Sequence, residues 1–80
     1  MTPNQIRDKA RAVCDADPAK KQAAIDAWAR VYQVVPHYEG THANYRRQRK
    51  ITEARLAILQ SIADGGSADD AERAGRAVLA

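Results

Sequence analysis

An all-α fold, a small bundle of three long helices and a short C-terminal one, is what this sequence predicts, on three observations. Apolar residues recur three and four apart, and no stretch alternates as a strand would. Seventeen of the 80 residues are alanine, the best helix former. Breakers at Asp17–Pro18, between Pro36 and Gly40, and at Gly65–Gly66 cut the chain into pieces of helical length.

The first helix opens on "TPNQ". Thr2 stands at the N-cap, Pro3 at the first helical position, and Gln5 where a capping box needs it. Ile6, Ala10 and Val13 then mark one face. "DADP" ends this helix and starts the next, with Asp17 as cap and Pro18 as opener. The second helix carries Ala24, Ile25, Trp28, Val31, Tyr32 and Val35, a wide apolar stripe that predicts the main core element. Pro36 predicts its end, because proline disfavours helix at the preceding residue. After the loop "PHYEGTH", Thr41 is the expected cap of a third helix running to about Asp64. Ser67 caps the fourth, whose Ala71, Ala74, Gly75 and Val78 form a face small enough for close helix approach.

Helix three has an unusual wheel. Ile51, Ala54, Ile58 and Ile62 form one apolar stripe; Tyr45, Leu56, Leu59 and Ala63 form a second, much of it on the far side. A helix apolar on two faces is either the spine of its own fold or a seam between chains. The second alternative predicts a homodimer with Tyr45, Leu56, Leu59 and Ala63 in the interface.

Composition narrows the function classes. A chain of 80 residues is one domain, 1–80, and buries only about 60% of its unfolded surface. Beside its alanines it has five Ile, five Val, three Leu and no Phe, so self-association or a partner is expected to complete the core. The single cysteine, Cys14, excludes an intramolecular disulfide framework and fits a reducing compartment. Without a signal-peptide h-region or a membrane-length apolar run, a cytoplasmic protein is expected. The Ala/Arg/Asp bias suggests a bacterial or phage gene.

Catalysis is not expected. Ser61 falls within a helix, Ser67 reads as a cap, and no glycine-rich phosphate loop is present. His37, Glu39 and His42 have H-x-E-x-x-H spacing, but Pro36 and Gly40 keep them off one helical face, and no metal or cofactor is expected there.

The informative stretch is "HYEGTHANYRRQRK", 37–50. Arg46, Arg47, Arg49 and Lys50 crowd the start of helix three, and residues 40–52 contain no acid. Helix starts favour acids, and a cation there costs about 0.3–1 kcal/mol. By contrast helix four opens with Asp69, Asp70 and Glu72. A disfavoured local arrangement is a hint of function. Arg46, Arg49 and Lys50 share a broad face, while Arg47 lies near the Ile51 stripe. With His42, Asn44 and Tyr45 they predict an anion- or nucleic-acid-binding surface. The net charge of +3 is compatible with this. Nine of the thirteen cations are arginine, however, so such a cluster also arises from composition alone. Two roles are expected: a nucleic-acid-binding accessory or regulatory protein, or a protein-binding inhibitor or adaptor, such as a phage product that blocks a host machine.

"ITEARLAILQSIADGGSADDAERAG" resembles the opening of a LuxR-type helix-turn-helix. Ile51, Leu59, Ile62, Ala63, Gly65, Ser67 and Gly75 fall where that pattern has its turn, its capping serine and the glycine ending its second helix. The resemblance implies DNA binding through a following recognition helix. Gly66 stands where the pattern has an apolar residue, the second helix is one residue short, and only "RAVLA" follows Gly75. The family is therefore not assigned.

Overall fold

The computed structural model describes all 80 residues as four α-helices without strands: α1 (Pro3–Ala16), α2 (Pro18–Tyr32), α3 (Ala43–Ala63) and α4 (Ala68–Leu79). Only α3, at 21 residues, is long; α1, α2 and α4 have 14, 15 and 12. The fold class is all-α, as expected.

The helix starts follow their capping residues. Thr2 and Gln5 form a reciprocal capping box, Asp17 accepts from the Ala19 N–H, and Ser67 and Asp70 form a second box. The end of α3 is a Schellman turn: the Gly66 N–H donates to the Ser61 carbonyl at 2.8 Å and the Gly65 N–H to that of Ile62 at 3.0 Å. Gly65 has φ +89°, the left-handed conformation this turn requires. Lys20 donates to the carbonyls of Gly65 and Gly66 at 2.8 and 2.9 Å, placing a cation at the negative end of α3.

Two boundaries differ from expectation. α2 stops at Tyr32, four residues before Pro36. The Val34 and Val35 N–H groups bond three residues back, to Val31 and Tyr32. This tightened turn carries Val35 into the interior, where it is 4% exposed. Thr41 does not cap α3; His42 is the N-cap, with no side-chain hydrogen bond. Its φ −109° and ψ 22° are not the extended backbone that carries a capping oxygen to the helix N–H groups.

Three helices share the central core. Lys20 meets the α3–α4 turn, Arg30 meets Asp69 and Glu72, and Val31 meets Gly75, so α2 and α4 run the same way. α3 runs antiparallel to both: Trp28 and Tyr32 meet Arg55 and Arg47, and Val78 meets Lys50. α1 packs on α3 and α2 but not on α4. Ala27, Val31, Ala54, Ile58, Ile62 and Ala71 form the core, with Ile58, Ile62 and Val31 its largest fully buried side chains. Half of this cluster is alanine, so helices approach closely but little apolar surface is withdrawn from water.

α3 contacts all three other helices and is the spine of the fold. This accounts for its two apolar stripes: Ala54, Ile58 and Ile62 are buried on one, and Ala63 on the other. Ala63 is therefore not free to form a dimer interface, because its own chain covers it. Leu56 and Leu59 are half-buried, and Tyr45 is 65% exposed. The stripe on α2 also needs correction. Ile25 is 51% exposed and Trp28 sits half-buried at the rim of the core rather than at its centre.

Gly75 separates this fold from the helix-turn-helix pattern. Its φ is not positive, and α4 passes through it to Leu79. A Cβ there would stand 3.0 Å from side-chain atoms of both Ile58 and Val31. The glycine serves close packing, and α3 and α4 form an antiparallel hairpin.

Candidate nucleic-acid interface

The absence of acid at the start of α3 has a spatial consequence. Arg46, Arg49 and Lys50 are three and four residues apart, so helical geometry aligns them. They line one open hollow of about 290 Å³ with Tyr38 and Glu53. Tyr38 comes from the loop before α3, and its ring lies 4.4 Å from the Arg46 guanidinium. That cation–π contact orients Arg46 while leaving its donors available. A second hollow adjoins the first through Arg49 and Glu53, and adds Tyr45, Gln48 and Thr52.

Glu53 partly offsets this charge. It stands 3.7 Å from Arg49 and 3.8 Å from Lys50, one helical turn away. Exposed pairs of this kind contribute only about 0–1 kcal/mol and exchange readily for a stronger anion. Lys50 has a further tie, donating to the Val78 carbonyl near the end of α4 at 3.3 Å. Arg46 makes no ion pair, so it is the cation of the three whose charge is least spent within the fold.

Arg47 lies elsewhere. Its guanidinium is 5.4 Å from the centre of the Tyr32 ring, and its Nε is buried without a hydrogen-bond partner. Tyr32 meets Trp28 edge to face at 5.5 Å, and Arg55 lies 4.8 Å from the Trp28 ring. Arg47, Tyr32, Trp28 and Arg55 thus form a continuous row between α2 and α3. Of the four clustered cations, three converge and the fourth helps join two helices.

His42 and Asn44 are exposed at the start of α3 but line neither hollow, whereas Tyr45 lines the second. His37, Glu39 and His42 are all exposed, and no three His, Cys, Asp or Glu side chains gather where they would hold a metal ion. Cys14 is a free thiol, half-buried against the core. No helix is long and apolar enough to cross a membrane.

For Tyr38 the only sequence signal is an aromatic residue eight positions before Arg46. For the Arg47–Tyr32–Trp28–Arg55 row only Trp28 and Tyr32, four apart on one helix, were visible as a pair. Comparison with protein-family models, with curated proteins and with solved structures gives no match.

Proposed function

We propose that this protein binds nucleic acid, without catalysis, through the first half of α3 and the loop before it. The observation carrying the reading is the convergence of Arg46, Arg49 and Lys50 beside Tyr38, on a stretch of the chain, 40–52, that contains no acid. Arginine and lysine contact phosphate oxygens. Asn44, Gln48 and Thr52 add polar groups of the kind that fix a duplex or strand in register. The exposed Tyr45 offers a surface for stacking. A regulatory or accessory role fits a small binding domain of this kind.

Labelled duplex DNA, single-stranded DNA and RNA, titrated at two salt concentrations, test this. Affinity should fall steeply with salt, since each neutralised phosphate releases counterion. Arg46→Ala/Arg49→Ala/Lys50→Ala should lower the slope of log K against log salt by up to about three. Arg47→Ala, at the helix junction, should leave the slope near that of the parent. Equal binding by the triple variant and the parent protein, or none by either, would defeat the proposal.

A homodimer has less support. Ala63 is covered within the chain and Leu56 and Leu59 are half-buried, which leaves Tyr45 as the one exposed member of the second stripe. A protein partner has a separate observation in its favour, the outward face of α2.

A further inference from the structure

Ile25, Trp28, Ala29 and Tyr32 stand at i, i+3, i+4 and i+7 on α2, which places them on one face of two successive turns. Ile25, Ala29 and Tyr32 are exposed and Trp28 is half-buried. Apolar residues at this spacing normally face a core, but here α3 reaches only the rings of Tyr32 and Trp28, through Arg47 and Arg55, and Ile25 and Ala29 stay exposed. Three cations border the strip: Lys21, one turn before Ile25, and Arg47 and Arg55, which lie over the rings of Tyr32 and Trp28. None of the three makes an ion pair within the chain. The nearest acid on α2 is Asp26, on the opposite border and held by the Gln22 amide at 2.8 Å.

We infer that this face docks an acidic amphipathic helix of a partner protein. The apolar strip supplies anchor contacts at the spacing a helix-in-groove interface uses. The cations along its edge supply charge complementarity to Glu and Asp flanking the partner's own apolar stripe. A guanidinium held over an aromatic ring keeps its N–H donors for a carboxylate while its position is already fixed, which lowers the ordering cost of binding. Charge also separates this occupant from a second copy of the chain. Two such faces packed antiparallel would oppose Arg47 and Arg55 to the same cations, and packed parallel would offer three cations a single acid, Asp26, already held by Gln22. The strip is distinct from the Arg46–Arg49–Lys50 hollow, so the two sites are separable by substitution.

The test is selection of displayed helix-forming segments of about 16 residues, without charge bias, on the intact protein. Trp28 is the only tryptophan, so its emission reads occupancy directly. Enriched segments should carry an apolar i, i+3, i+4, i+7 stripe and net negative charge, and should shift Trp28 emission to the blue. Ile25→Lys, at an exposed position, should abolish binding, and Arg55→Glu should weaken it about tenfold. Circular dichroism confirms that both variants remain folded. The Arg46→Ala/Arg49→Ala/Lys50→Ala variant should bind the same segments as the parent does. Enrichment of neutral or basic segments, no enrichment, or binding indifferent to Ile25→Lys would overturn the inference. So would oligonucleotide binding that Arg55→Glu abolishes and the triple variant keeps, or self-association lost in Ile25→Lys.

Discussion

Gly75 and Asp70 show how single residues set the packing of α4. Adding a Cβ at Gly75 pushes into Ile58 and Val31, two of the three largest fully buried side chains. Overpacking costs about 1–3 kcal/mol, against about 1 kcal/mol of helix propensity gained. Gly75→Ala should therefore lower the urea midpoint, although alanine is the better helix former. Asp70 is held below the ordinary carboxylate range by the Ser67 backbone N–H first, then by the Ser67 side chain, with Arg73 and Lys20 adding attraction. A carboxyl with a depressed folded pKa stabilises above its unfolded value, near pH 4, and loses that contribution as pH falls through the folded value. The stability of the parent and of Asp70→Asn should differ at neutral pH and converge in acid, as read by chemical denaturation across the range. Parallel curves throughout would show that the Ser67–Asp70 box does not act through charge.

At the scale of the element, α3 joins two conflicting demands. Its core half, Ala54 to Ile62, is ordinary helix packing. Its first turn has neither a side-chain cap nor an acid, and cations follow where the helix end is itself positive. Asn44→Asp supplies the missing acid and should raise stability by about 0.3–1 kcal/mol. It should also weaken oligonucleotide binding, because it adds a carboxylate to the acid-free stretch, 40–52, proposed to bind. A variant more stable and equally competent in binding would mean that the acid-free start has no role in binding. α2 shows a complementary imbalance, with more apolar surface than the core accepts and the surplus facing outward.

For the whole molecule, stability rests on a few aliphatic side chains set among alanines. Ile58 is 2% exposed and touches the Gly75 position from the spine. Ile58→Ala should cost about 2–5 kcal/mol, enough to unfold a chain of this size near room temperature. Trp28 is on the rim and partly in water. Trp28→Ala should fall below the roughly 3–5 kcal/mol of a fully buried aromatic, while removing the stack that orders Tyr32 and Arg55. Equilibrium unfolding in urea orders the two. A larger loss for Trp28→Ala would restore it to the centre of the core.

The sequence by itself determined the helical class, three of the four helix starts and the Gly65–Gly66 turn, because these depend on interactions a few residues apart: a side-chain oxygen and an N–H, a proline ring, a glycine φ. It also marked the acid-free run at 40–52, and its wheel set Arg47 apart from Arg46, Arg49 and Lys50. Tertiary structure decided what local pattern cannot express. An apolar periodicity states that a face is to be covered, not by what. On α3 most of the first stripe and Ala63 of the second were covered within the chain, while Leu56 and Leu59 were left half-buried and Tyr45 exposed. On α2 a stripe of the same spacing was left partly in water. Gly75 reads in the sequence as part of a face small enough for close helix approach, and only the assembled bundle names what approaches it, Val31 and Ile58. Tyr38, Tyr32 and Trp28 gained their arginine partners only when a loop and two antiparallel helices were brought together, a proximity set by the sum of all the packing contacts rather than by any one segment.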